Sequence, residues 1–396
     1  LRIFIVETNA KGGLALFAYH MATSLAEQGA DVTLLTGREY ELGHLPHNFT
    51  VLLELDLWSL FEGRSGRSGG KRLGESRTVR RIRRGGKFIR AWAHIVRRLR
   101  AENPDVVIFS MIHFPFELYF FHRLRASGLN LIQICHEIEK RDVKRGWFET
   151  WFGDPLLKRA YACFSSIVFL ASSVERDFVD LYGDISRRVI LPHGPPLSLG
   201  SFDKDSGVAR YGIGDFERVI LFFGLLRPSK GVEDLVDAFA ALKNRSGVCL
   251  LIAGYPTKNF DAEGLIERVR SFGLEGQVLL HLDYVPDGDV GPLLTLAEML
   301  VLPYRNATAS GPAAAAQYLH CPIIATDVGG FKEIIQDGVT GRIVPARNIP
   351  ALSRAIGEML NDHVGAQRMA EAAYLDQAEN RSWNKFAREV LKLAEV

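Results

Sequence analysis

Cysteine is scarce in this 396-residue chain. The four, Cys135, Cys163, Cys249 and Cys321, are scattered, with no CxxC and no metal-ligand spacing. That argues against a disulfide framework and fits a reducing cytoplasm. No apolar run approaches the ~20 residues needed to span a bilayer. The opening "LRIFIVET" has no basic region followed by a small-residue cleavage site, so it reads as a first β-strand. Neither GxGxxG nor GxxxxGK[ST] occurs, which leaves dinucleotide and ATP-loop readings weak. No internal repeat is found, and the only low-complexity stretch is "GRSGRSGG" at 63–70, which reads as a loop. Acidic residues are nearly missing from 61–100, where fourteen Lys or Arg face two acids, Glu62 and Glu75. That segment carries +12 and the rest of the chain −10, within a net charge of +2. Such asymmetry points to an anionic surface as partner, lipid or nucleic acid.

What is present is an alternation of short β-branched runs with amphipathic stretches, the mark of α/β domains with parallel sheets. "IFIVE", "DVTLLT", "DVVIFS", "NLIQICHE" and "SIVFLAS" form a first series, and the Pro/Gly cluster "LPHGPP" (191–196) reads as a hinge. "RVILFFG", "VCLLIAG", "QVLLHLDYV", "MLVLPY" and "PIIATDV" form a second. The length suits two domains. The division expected is 1–194 and 195–375, with 376–396 returning as a helix onto the first. The architecture expected is two doubly wound Rossmann-like domains facing across a cleft, with ligand at the carboxyl ends of the strands.

The most informative stretch is "FFGLLRPSKGVEDLVDAF" (222–239). A strand ends at Gly224, and Arg227 and Lys230 sit in the turn before a helix. Two cations beside a helix N-terminus suit a pyrophosphate, although an arbitrary RxxK is usually a solvated turn. Gly12 and Gly13 link another strand to a helix and let a ligand approach the backbone; a Gly-Gly turn with no ligand role is the alternative. His136 closes "LIQICHE" at its carboxyl end, which makes a lone histidine, usually structural, a candidate contact at a reacting centre. In "PDGD" (286–289) the Asp-x-Asp letters lie between strand and helix, where Asp serves turns and caps, so no metal is expected there. The stretch "RTVRRIRRGGKFIRAWAHIVRRLR" (77–100) interleaves cations, Arg80, Arg81, Arg83, Arg84 and Lys87 among them, with Val79, Ile82, Phe88, Ile89, Trp92, Ile95, Val96 and Leu99. This is how a helix lies in a membrane interface. A solvated helix packed on the first sheet is the main alternative, and no nucleic-acid motif accompanies the charge. The aromatic clusters "HFPFELYFF" (113–121) and "WFETWF" (147–152) suit an acceptor pocket or core packing equally.

"GLLRPSKGVEDLVDAF", "ASGPAAAAQYLHCPIIATDVGGFKEII" and "DGVTGRIVP" together resemble the C-terminal half of family 4 glycosyltransferases of the GT-B fold. "KGGLALFAYHMATSLAEQGADVTLLT" looks like their opening βαβ unit, and "RSWNKFAREVLKL" like their closing helix. The resemblance covers nearly the whole chain and is weakest from about 40 to 130. It implies retaining, metal-independent transfer of a sugar from a UDP- or GDP-sugar to a glycan or lipid-linked acceptor, in polysaccharide or lipopolysaccharide biosynthesis. It implies no metal or other cofactor, and together with the cysteine usage and the basic stretch the expectation is a cytoplasmic enzyme at the inner face of the membrane with no nucleic-acid partner. By resemblance Gly12 and Gly13 face the donor diphosphate and sugar, Arg227 and Lys230 neutralise the leaving group, and His136 contacts the donor sugar. Ser310 and Gly311 fit an "SG" variant of the donor motif, and Gly329, Gly330 and Glu333 match the segment near the donor sugar. Two departures stand out. Leu225 occupies the place where many members carry the phosphate arginine, and the family's two glutamates eight residues apart fall on Ala307 and Ala315. Gln317 points elsewhere on the helix, whereas Tyr318 is one turn from Ala315. Small residues after a Ser310 cap and Pro312 suggest helix amides left open to a diphosphate. The losses keep a degenerate, ligand-binding relative as the alternative to an active transferase. An epimerase or phosphorylase would need further acids and bases, or a pyridoxal lysine.

Overall fold

The computed structural model describes residues 1–56, 77–136, 152–195, 204–307 and 310–394. The side chains of residues 77–82, 204–207 and 287 also lie outside the description. The "GRSGRSGG" stretch and all of "WFETWF" except Phe152 therefore fall outside it.

The first sheet has seven parallel strands: β1 (Arg2–Val6), β2 (Asp31–Gly37), β3 (Thr50–Leu55), β4 (Val106–Phe109), β5 (Asn130–Cys135), β6 (Ser166–Phe169) and β7 (Arg187–Ile190). They run in the order β3-β2-β1-β4-β5-β6-β7. The second sheet holds β8 (Arg218–Phe223), β9 (Val248–Ala253), β10 (Val278–His281), β11 (Met299–Leu302), β12 (Ile323–Thr326) and β13 (Arg342–Val344), in the order β10-β9-β8-β11-β12-β13. The helices of the first unit are α1 (Gly13–Glu27), α2 (Arg77–Glu102), α3 (Leu118–Arg125), α4 (Asp154–Tyr161) and α5 (Ser172–Tyr182). Those of the second are α6 (Lys204–Tyr211), α7 (Val232–Ala240), α8 (Ala262–Ser271), α9 (Asp287–Leu296), α10 (Gly311–Tyr318), α11 (Phe331–Ile334), α12 (Ile349–Asn361) and α13 (His363–Asn380). Last comes α14 (Trp383–Ala394).

Strand alternation divides the first core in two. Ile3, Ile5, Val106 and Ile108 face α1, while Phe4, Val6, Val107 and Phe109 face α2 and α3. Helices on both faces explain why these strands are apolar throughout. Trp383, Phe386, Val390 and Leu393 form one stripe of α14 and share the α1-side core with Phe17 and Leu25. The last helix of the chain thus packs on its first.

The same packing corrects the reading of α2. Phe88, Trp92, Ile95, Val96 and Leu99 are buried in the domain's own core, so most of the apolar face is covered by protein; Ile89 is the large apolar residue described there that is exposed.

In each sheet the chain runs outward to one edge and returns to the centre. The switch points lie between β1 and β4, and between β8 and β11. Ligands of such sheets bind outside the carboxyl ends of the strands at these two places.

Candidate donor site

At the second switch point β8 ends and the chain turns through Pro228–Lys230 into α7. Gly231 takes φ 63°, and a Cβ there would stand 2.2 Å from the Pro303 carbonyl oxygen, so the turn is pressed against the end of β11. Arg305, three residues past β11, locks the arrangement. Its guanidinium donates to Asp234 at 2.9 and 2.6 Å, and its backbone N–H donates to the Ser229 carbonyl at 2.7 Å. Glu233 lies 3.3 Å from the same guanidinium. The acids of α7's first turn are therefore answered by Arg305. The guanidinium of Arg227, half-buried in the same turn, makes no hydrogen bond or ion pair among the described residues, while its carbonyl accepts from the Lys230 N–H at 2.9 Å. Lys230 Nζ sits 3.5 Å from the centroid of the Tyr304 ring, a cation–π contact that fixes its stem. Arg227 and Lys230 thus concentrate positive charge at the sheet's crevice. Arg305 was not picked out from sequence; its position just past a strand at the switch point was the available signal.

The entrance of α10 is less open than its composition suggests. Ser310 Oγ accepts from Ala313 N–H at 3.3 Å, the Ala314 N–H returns to the Ser310 carbonyl, and Pro312 has no N–H. Only the Gly311 amide is left over in that first turn. Ala307 and Ala315 are both buried in the apolar core, and a Cβ on Gly329, at φ 55°, would come within 1.7 Å of the Ala307 carbonyl oxygen. Gln317 donates to the Ile334 carbonyl at 2.8 Å, and Tyr318 lies against Tyr374.

Opposite, the Gly12 N–H donates to the Glu41 carboxylate, whose other oxygen accepts from the Tyr284 hydroxyl at 2.9 Å. A side chain of the protein itself therefore holds the amide expected to face an anion, and joins the two domains in doing so. Around Gly13 the space is open. His136 meets the Phe17 ring edge-on at 4.6 Å. Burial, with His193 adding to it, pushes its pKa down to about 3, so the imidazole is neutral. Glu137 lies outside the described residues.

Glu333, expected near the donor sugar, makes contacts across the two domains. Its carboxylate accepts from Ser172 N–H at 2.8 Å, Ser172 Oγ at 2.7 Å and Ser173 N–H at 3.0 Å. It caps α5 of the other domain. A small interdomain cavity of about 30 Å³, lined by His193, Ser310, Gln317, Gly330 and Arg381 among others, lies beside it.

The remaining candidates separate. Arg83 is exposed and Arg84 half-buried, Lys87 pairs with Asp56 at 2.9 Å, and the side chains of Arg80 and Arg81 fall outside the description. Asp289 of "PDGD" is bound by Arg210 and by the Tyr211 hydroxyl at 2.7 Å. Among the described residues no three Asp, Glu, His or Cys side chains gather as metal ligands, and no helix is long and apolar enough to cross a membrane.

Two facing parallel-sheet domains with such a cleft define the GT-B architecture. Residues 203–376 match the family profile described as glycosyl transferases group 1, and residues 11–198 match glycosyltransferase family 4. Alpha-D-kanosaminyltransferase of Streptomyces kanamyceticus is 32% identical over 41% of this chain and 42% of that protein. Glycogen synthase of Mycobacterium tuberculosis is 25% identical over 95% of this chain and 89% of its own. Among solved structures, Anabaena Alr3699/HepE in complex with UDP and glucose superposes with a TM-score of 0.71 at 17% identity, covering 99% of both chains. The chain belongs to the family 4 glycosyltransferases, enzymes of the hexosyl-transferring class.

Proposed function

We propose that the protein is a retaining, metal-independent glycosyltransferase that moves a sugar from a UDP- or GDP-sugar to a glycan or lipid-linked acceptor of surface polysaccharide or lipopolysaccharide synthesis. The observation that carries this reading is Arg227, an unanswered cation beside Lys230 at the switch point of the second sheet. Breaking the bond from the sugar's anomeric carbon leaves its electron pair on the nucleotide diphosphate. Fixed cations stabilise that developing charge without reorganisation. Gly311 and Ser310 flank the same crevice, and Gly12 and Gly13 approach from the other domain. Neutral His136 offers a hydrogen bond to the sugar and adds no further charge. One relative is named for glycosyl transfer and another for glycogen synthesis, and the Anabaena structure holds UDP and glucose.

Calorimetry with UDP, GDP and ADP tests the first step. UDP or GDP binds with a Kd below about 1 mM; absence of binding by every nucleoside diphosphate overturns the reading. A second reading, a member that binds nucleotide or glycan without efficient transfer, is favoured by the buried Ala307 and Ala315. Nucleotide binding without any sugar transfer or hydrolysis would establish it.

We further propose a peripheral place at the cytoplasmic face of an anionic membrane, through the cations of α2: Arg80, Arg81, Arg83, Arg84 and Lys87. With the apolar face of α2 turned inward, attraction to lipid would be mainly electrostatic and would fall with salt. Equal co-sedimentation with neutral and anionic vesicles would sink this part.

A further inference from the structure

We infer that Thr8, His113 and the Phe114–Phe116 pair, at the first sheet's switch point, form the acceptor subsite and that the acceptor presents an uncharged pyranose ring there. This rests on the glycosyltransferase reading and gives its second substrate a chemical class. Thr8 follows β1 and His113 follows β4, the two strands that flank the switch point. Thr8 also lies on the connection that leads to Gly12, so anything bound beside it is close along the chain to the proposed donor loop.

The polar half of the subsite is built from within. His113 Nε2 is 3.5 Å from Thr8 Oγ1. Beneath it, Glu117 is fully buried, with each carboxyl oxygen 3.2 Å from the His113 backbone N–H and one of them 3.9 Å from Nδ1. Burying a carboxyl is costly unless its bonds are made, and here they fix the backbone and ring of a histidine that is itself only partly buried. Burial pushes the Glu117 pKa up to about 8, so the acid holds His113 largely without adding a negative charge at neutral pH.

The aromatic half comes from a segment whose sequence reads equally as core or as pocket. The structure divides it. Phe120 and Phe121 enter the core, whereas Phe114 and Phe116 stack with centroids 5.2 Å apart and planes 10° apart. Phe88 meets both edge-on, and Phe116 remains 48% exposed. A fixed aromatic ring that is about half exposed offers apolar surface for a ligand to cover. A pyranose has a C–H face for such a ring and hydroxyls for an imidazole and a threonine. A sugar phosphate would have to recruit a cation of α2, such as Arg83, Arg84 or the Asp56-paired Lys87, and glucose 6-phosphate is therefore the comparison that tests the uncharged class.

Saturation-transfer NMR on the whole protein, without nucleotide, tests this. The probes are methyl α-glycosides of glucose, mannose, galactose and N-acetylglucosamine, with glucose 6-phosphate for comparison, at about 20 mM to suit weak binding. At least one methyl glycoside gives a signal. It falls at least about fivefold in both His113→Ala and Phe116→Ala, while melting temperature and UDP affinity stay unchanged. No glycoside signal from the unaltered protein, a signal that survives both substitutions, or binding of glucose 6-phosphate alone would each overturn the assignment. Failure of UDP to bind would overturn the donor reading instead, and the glycoside result would still decide this one.

Discussion

Arg227 and Arg305 lie near each other at the second switch point and do opposite work. Arg305 is answered by Asp234, Glu233 and two backbone carbonyl contacts along 228–229, so it holds the turn together. Arg227 is answered by nothing described, so its charge is free for a ligand. Arg227→Ala should therefore weaken UDP binding about 10- to 100-fold, the worth of one or two charge-assisted hydrogen bonds. The melting temperature should stay within about a degree, because no native pair is lost. Calorimetry and a thermal melt on the same sample check both halves, and a large loss of stability would move Arg227 into the structural class. The contrast was half legible in sequence. Strand, turn and helix around "LLRPSKG" marked Arg227 and Lys230, but nothing local announces that Glu333 bonds Ser172, 161 residues away. Its place in a family-like motif pointed to a donor role, and only the folded chain shows what its carboxylate touches.

At the scale of elements, periodicity says which face of a helix is apolar but not what covers it. The sequence pattern of α2 fits a membrane surface and a domain core alike, and Trp92 stacked between Phe109 and Phe120 decides for the core. The buried strands, by contrast, are legible because they show as uninterrupted apolar runs whichever helices cover them, whereas the partly exposed edge strands β3 and β7 are not among those read from the sequence. Helix α10 lies between these cases. Ser310 was recognisable as a cap, and the structure places its Oγ on Ala313 N–H. Bareness in the sequence suggested open amides, yet the cap and Pro312 leave one. Ser310→Ala removes the cap and should cost about 1 kcal/mol, seen as a melting temperature lower by a few degrees. Ser310→Asn, which can still cap, should recover most of it. If both substitutions destabilise equally, packing of Ser310 and not capping is its role.

At the scale of the whole molecule, five buried titratable groups near the cleft and the first sheet set how stability follows pH. Burial pushes His20 and His136 down to about 3 and also lowers His193. It pushes Glu7 up to about 7 and Glu117 up to about 8. The two sets act with opposite sign. The histidines stay neutral in the fold while the unfolded chain protonates them below its ordinary value of 6.5, so their contribution is present above that pH and is lost as pH falls toward 3. The glutamates stay protonated in the fold while the unfolded chain ionises them above 4.5, so theirs is present below 4.5 and is lost as pH rises through 7 and 8. Between 4.5 and 6.5 His20 and His136 offset Glu7 and Glu117, so stability changes little with pH there. Above 6.5 only the glutamates differ between states, and it falls. Each unmatched proton changes stability by about 1.4 kcal/mol per pH unit. The melting temperature should therefore be highest between about pH 4.5 and 6.5, decline toward pH 8, and drop below about pH 4.5 once the glutamates no longer oppose the histidines. Glu117→Gln removes the acid that titrates highest while leaving an oxygen for the His113 N–H. That variant should flatten the decline between pH 7 and 8 and leave the acid limb unchanged. A profile in Glu117→Gln as steep above pH 7 as that of the unaltered protein would show that Glu117 is ionised in the fold, and that its buried carboxylate charge is balanced by His113.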